Sequence, residues 1–136
     1  MTSVFVDTSA LYALLVRTDD SHEQATRIFR ALRTAEPRLV TSSAVLLETY
    51  ALLGHRIGIE AVSGLRDALE PLLDVVWVDR RLHERALDRV IGEGIRKGLV
   101  DVISFLVMDD RGIDAAFSFD SDFETAGFRR IPDPGA

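Results

Sequence analysis

Ser3-Val4-Phe5-Val6-Asp7-Thr8-Ser9-Ala10-Leu11 is the stretch from which the rest of the chain is read. Three large apolar residues end abruptly at a carboxylate, and a hydroxyl pair leads straight into a second apolar run. A short continuous apolar run suits a strand covered on both faces. Asp followed by Thr and Ser suits a helix start. Asp7 therefore stands at the carboxyl end of a buried strand, where open α/β sheets bind their ligands.

Working outward, strands alternate with helices, mostly in pairs. Val4–Val6 is expected as the first strand and Ser9–Val16 as a short helix. Ala25, Ile28, Phe29 and Leu32 recur at i, i+3, i+4 and i+7, giving a second helix with one buried face. Arg38–Thr41 reads as a second strand. A helix capped by Ser42 or Ser43 then runs through Leu46, Leu47, Leu52 and Leu53 to about Arg56, and another covers Glu60 to about Leu69. Val75–Val78 is the third strand, with Trp77 assigned to the core, and Asp79 opens the next helix. Gly92, Gly94 and Gly98 form a loop before a helix containing Val102–Met108. Ala115–Phe119 is the fourth strand and Phe128–Ile131 a short fifth. The expected fold is α/β, a central parallel sheet of four to five strands with helices on both faces. Residues 1–131 would form a single domain and 132–136 a loose tail.

The chain has 136 residues and a net charge of -6. Phosphate contacts dominate nucleic-acid affinity, so an acidic balance argues against a dedicated nucleic-acid binder unless the acids are gathered around cations. The absence of cysteine excludes disulfides, thiolate zinc sites and cysteine nucleophiles. The opening residues lack the basic flank and unbroken apolar core of a signal peptide, and no apolar run approaches the roughly 20 residues of a membrane helix. A cytoplasmic protein is expected.

Four acids stand where an acid is costly or oddly placed. Asp7 and Asp120 end strands, Asp101 follows the glycine loop at a helix start, and Glu48 has Ala44, Val45, Ala51 and Leu52 as helical neighbours. Each has a plainer role: Asp7 as an N-cap, Asp101 on a helix dipole, Asp120 in an Asx turn, and Glu48 snorkelling or paired with arginine. Gathered in one pocket they would repel one another, and a divalent cation removes that cost. All-oxygen ligation suits Mg²⁺ or Mn²⁺ and not zinc.

Read in order, these segments resemble the PIN-domain ribonucleases, in particular the VapC-type toxins of prokaryotic toxin–antitoxin pairs. The resemblance runs through Val4–Leu11, Thr41–Thr49, Gly98–Phe105, and Phe117–Phe123 with Ala126-Gly127-Phe128. It implies a PIN sheet and four metal-holding catalytic acids at Asp7, Glu48, Asp101 and Asp120. Ser118 matches the family's small hydroxyl, and Ser9 and Thr8 are candidates for orienting a carboxylate or a water. Asp122 falls at a variable position and is an additional candidate. Gly98 departs from the serine many relatives carry. The implied activity is Mg²⁺- or Mn²⁺-dependent hydrolysis of RNA phosphodiester bonds by activated water. The implied partners are an RNA substrate, a cognate antitoxin and a second copy in a homodimer.

Other motifs fail. Gly92–Gly98 matches neither the dinucleotide fingerprint nor a P-loop, and no histidine pair has zincin spacing. Haloacid-dehalogenase-like phosphatases want Asp-x-Asp where Ser9 stands. A receiver domain wants a later active-site lysine, whereas the single lysine, Lys97, lies in the glycine loop. The alternatives are a non-catalytic PIN module that only binds a partner, or another Mg²⁺-dependent phosphate hydrolase. Arg27 with Arg30, Arg80 with Arg81, and Arg129 with Arg130 suit solvated surfaces as well as RNA, so no RNA-binding residue is named.

Overall fold

The computed structural model describes residues 2–94 and 98–133. Five parallel strands, β1 (Ser3–Val6), β2 (Arg38–Ser42), β3 (Asp74–Val76), β4 (Ala115–Phe117) and β5 (Arg129–Ile131), form one sheet in the order β3-β2-β1-β4-β5. Between them run α1 (Thr8–Leu15), α2 (His22–Ala35), α3 (Ser43–Arg56), α4 (Ile59–Gly64), α5 (Arg80–Glu93), α6 (Leu99–Arg111) and α7 (Asp122–Thr125). A π-helical turn, Leu65–Leu69, and a 3-10 turn, Glu70–Leu72, continue from α4.

β1 is the central strand, with Phe5 opposite both Val40 of β2 and Ala116 of β4. Successive side chains in a strand point to opposite faces. Val4, Phe5 and Val6 are all buried, as are Ala115, Ala116 and Phe117, so both faces of the sheet are covered. Edge strand β3 is protected by charge: Asp74 pairs with Arg38 at 3.5 Å and Arg111 at 3.2 Å.

The order places the site. The chain steps from β1 outward to β2 and β3, then returns to lay β4 and β5 on the other side of β1. The reversal leaves a crevice at the carboxyl ends of β1 and β4, the topological switch point.

Several boundaries differ from the sequence reading. β3 stops at Val76, and Trp77 is 71% exposed instead of joining the core. Only three residues of β3 find partners on β2, so alternation does not continue to Trp77. β4 ends at Phe117, because Ser118 and Phe119 turn toward the site and hydrogen-bond there. The expected single helix from Glu60 to about Leu69 divides into α4 and a wider π-helical turn, and a tighter 3-10 turn with Pro71 in its first turn follows. Of the expected glycine loop, residues 95–97 lie outside the described residues, as do 134–136 of the expected tail. Among the described residues no helix is long and apolar enough to cross a membrane.

Candidate functional site

Asp7 follows β1, and its backbone N–H extends the ladder by donating to the Phe117 carbonyl at 3.0 Å. Its side chain is buried. Ser9 Oγ–H and Ser118 Oγ–H both donate to Asp7 Oδ2, at 2.8 and 2.9 Å, and the Ser9 backbone N–H adds a long contact of 3.4 Å. Each hydroxyl then accepts from the chain beyond β4: Ser9 Oγ from the Phe119 N–H at 2.9 Å, Ser118 Oγ from the Asp120 N–H at 3.0 Å. Two serines thus join the first acid to the loop that carries the last. Asp7 also caps α1. Burial raises its pKa, and the serine hydrogen bonds oppose that rise.

The Thr8 hydroxyl turns the other way. It donates to the Val45 carbonyl of α3 at 3.4 Å and lies 3.3 Å from Thr49, so it ties α1 to α3 and touches no carboxylate. Asp120 accepts from the Asp122 N–H at 2.9 Å in an Asx turn opening α7. Arg130 of β5 pairs with Glu124 of α7 and donates to the Ser118 carbonyl at 3.3 Å. With its side chain 13% exposed, Arg130 braces this loop and is not a solvated end.

Glu48 is placed differently from its sequence reading. The buried stripe of α3 is Val45, Leu46, Thr49 and Leu53, and Glu48 is exposed beside it. It nevertheless lines the same cavity as the other acids. That cavity, of about 540 Å³, is bounded by Asp7, Glu48, Asp101 and Asp120. Four acids from β1, α3, α6 and the loop after β4 therefore meet at the switch point. The cavity also takes in Asp19, Tyr12 and Arg56, which the sequence reading did not select. Arg56 was legible: Glu48, Leu52 and Arg56 lie at i, i+4 and i+8 of one helix and share a face.

Asp101, Asp120 and Asp122 come closest together, each offering a carboxylate oxygen within 4.8 Å of the others. That spread is near twice an Mg–O distance of about 2.1 Å. Two unit charges so placed repel by roughly 3–4 kcal/mol at an effective dielectric near 20, before salt screening. The consequence appears at Asp101. Its pKa is pushed up to about 7, first by burial and then by the charges of Asp7, Asp120, Asp122 and Glu48. Oxygen donors without histidine or cysteine form a set for a hard divalent cation, and these carboxylates could hold one.

A pH dependence follows. Asp101 moves from the ordinary 3.8 to about 7 in the folded protein, so between those values the folded state binds more protons than the unfolded one. Stability from this group is therefore full below the lower value and is lost as pH rises through the upper. Asp7 is shifted the same way. In EDTA the melting temperature is expected to fall as pH is raised from about 5 to about 8, and Asp101→Asn should flatten that slope. Thermal melts across the window check it, and identical slopes for both proteins would contradict the assigned origin.

The PIN domain family model matches residues 4–129. The 23S rRNA-specific endonuclease VapC20 of Mycobacterium tuberculosis, from strains CDC 1551 and H37Rv, is 37% identical over 130 residues, covering 94% of this chain and 97% of that protein. The crystal structure of M. tuberculosis VapC20, described as a sarcin-ricin loop cleaving toxin, aligns with a TM-score of 0.80 at 36% identity, covering 92% of this chain and 95% of that one. DNA-bound VapBC from Salmonella typhimurium shares the fold at a TM-score of 0.69 and 15% identity, covering 96% and 97%. A match that begins in β1 and ends at the start of β5 takes in every element bearing one of the four acids, and the chain belongs to the PIN-domain family.

Proposed function

We propose that this chain is a Mg²⁺- or Mn²⁺-dependent endoribonuclease and the toxin of a type II toxin–antitoxin pair. The observation that carries the reading is the meeting of Asp7, Glu48, Asp101 and Asp120 around one cavity at the switch point. The close relationship to an rRNA endonuclease supports it.

These four acids would hold one or two divalent ions, with Asp122 beside Asp101 and Asp120. When bound, such an ion neutralises charge on the phosphoryl oxygens and makes water a competent nucleophile near neutral pH. The protein's own part is to fix the donors beforehand. Ser9 and Ser118 orient Asp7 by holding one of its oxygens, the kind of outer support that metal-binding carboxylates need. Ser118 also anchors the Asp120 backbone, so displacement of that hydroxyl would disturb two acids together. No histidine lines the cavity among the described residues, which leaves the carboxylates as the groups able to accept a proton from water.

The toxin reading carries further expectations: a cognate antitoxin covering the acidic site, a homodimer and a cytoplasmic location. Leu47 and Trp77, each more than two-thirds exposed beside one groove, leave apolar surface that association would cover. Sedimentation of the purified chain tests the dimer.

The deciding experiment is a fluorescent RNA assay on antitoxin-free protein. The relative's substrate makes a 23S sarcin–ricin hairpin the first RNA to try. Cleavage is expected with Mg²⁺ or Mn²⁺ and should disappear in EDTA. Cutting that persists undiminished in excess EDTA, or folded protein that cuts no RNA under any of these conditions, would reject the reading.

A further inference from the structure

We infer that Arg56, held against Tyr12, grips a phosphate of the RNA strand beside the bond that is cut. This assignment rests on the nuclease reading above and adds a substrate contact to the same cavity. The cavity wall carries Asp7, Asp19, Glu48, Asp101 and Asp120, and Arg56 is its single cationic side chain among the described residues. A phosphodiester chain approaching so acidic a wall is repelled unless positive charge is supplied. Bound cations can supply it on the floor, and Arg56 supplies it at the rim.

α3 sets the spacing. Glu48, Leu52 and Arg56 all line the cavity from one face of the helix. Eight residues at 1.5 Å each put the Arg56 Cα about 12 Å along the axis from the Glu48 Cα. A single phosphate group does not bridge that distance, so the guanidinium meets the strand next to the scissile phosphate. Tyr12 of α1 holds it there, with the Arg56 guanidinium carbon 5.9 Å from the ring centroid. A cation over an aromatic face is attracted by the ring and loses some of its freedom.

Arg56 is also available. Seven other arginines each have a carboxylate within 4.0 Å, whereas Arg56 has none among the described residues. It is exposed at the rim, and its planar fork matches phosphate oxygens. A basic segment of a protein partner would be drawn to the acids and repelled by this arginine, so its position favours a polyanion.

The test is steady-state cleavage of the fluorescent sarcin–ricin hairpin by wild type, Arg56→Ala and Arg56→Lys. For Arg56→Ala, KM is expected to rise about tenfold, the scale of one charge-assisted contact. The kcat should stay within about twofold, because the contact is made in ground and transition states alike. The slope of log KM against log salt should fall by about 0.7, the counterion equivalent of one single-strand phosphate. Arg56→Lys should recover part of the KM, keeping charge but losing the fork. Thermal melts matching wild type secure the fold; should Arg56→Ala melt early, Arg56→Gln keeps most of the stem and gives the same reading. Unchanged KM and salt slope in a folded variant, with wild type cutting normally, overturn the assignment and leave the nuclease reading standing. A wild type that cuts no RNA overturns both. Weaker capture of co-expressed antitoxin by Arg56→Ala, with KM for RNA unchanged, assigns the arginine to the protein partner and overturns the RNA contact.

Discussion

Asp7→Asn is expected to lower RNA cleavage by about a thousandfold or more, while the variant melts no lower than wild type in EDTA. The first half follows from charge. A cation held by carboxylates and set against a phosphoryl group contributes several kcal/mol in the transition state, and each 1.36 kcal/mol is a factor of ten in rate. The second half follows from burial. Asp7 is enclosed, and desolvation already works against its ionised form. Asparagine removes that cost, keeps an oxygen for the Ser9 and Ser118 hydroxyls, and is itself a good N-cap. Cleavage measured over a wide range of enzyme concentration, beside melts of the same preparations, separates the two halves. A variant that cuts at the wild-type rate would remove Asp7 from the chemistry. One that is inactive only because it melts far below wild type would recast it as a structural cap.

Phe123→Ala should cost about 3–5 kcal/mol of stability, the range for emptying a buried phenyl site. Small domains have only about 5–15 kcal/mol in total, so a drop of about 10 °C or more in melting temperature is expected. Phe123 has no exposed surface. Its ring meets Phe105 edge-on at 5.1 Å and Phe5 at 6.4 Å, and Phe105 stacks on Phe128 at 5.7 Å. Every member of this cluster stands close in sequence to an acid or to the loop behind one. Phe5 is two residues before Asp7, Phe105 one helical turn after Asp101, and Phe123 directly after Asp122. The cluster therefore locks β1, α6 and α7 together beneath the carboxylates. Cleavage assayed well below the melting transition should fall as well, since a loosened α7 no longer fixes Asp120 and Asp122. Phe123→Leu, which refills most of the volume, should recover much of both losses. A melting temperature within about 2 °C of wild type for Phe123→Ala would refute the clamp.

Much of the candidate site is legible in the sequence because it obeys local rules. Asp7 and Asp120 were read from apolar runs that stop at a carboxylate, and both lie at the crevice that the strand order creates. Asp101 was read from a loop meeting a helix, and α6 begins two residues before it. What escaped depends on packing at a distance. Glu48 was placed among apolar neighbours, yet the face of α3 that is buried is set by α1, α4, α6 and β2, and it excludes Glu48. Trp77 continued an apolar alternation, but a strand ends where its partner's hydrogen bonds end, and β2 offers β3 only three pairings. Ser118 is named by the family resemblance, but the apolar run suggests a strand to Phe119, and β4 stops at Phe117 because Asp7 and Ser9 take the polar groups of Ser118 and Phe119. Arg56 carries a usable signal in its spacing from Glu48, eight residues along one face of α3.

The serine bond from Ser118 to Asp7 joins residues separated by 111 positions. A chain emerging from the ribosome has its first strand long before the fourth, and closing so distant a pairing is among the last gains of folding. No N-terminal fragment ending short of β4 owns the whole cavity. A nascent polypeptide that has not yet reached β4 therefore lacks Ser118 and Asp120, and with them the latch on Asp7 and one wall of the acidic crevice.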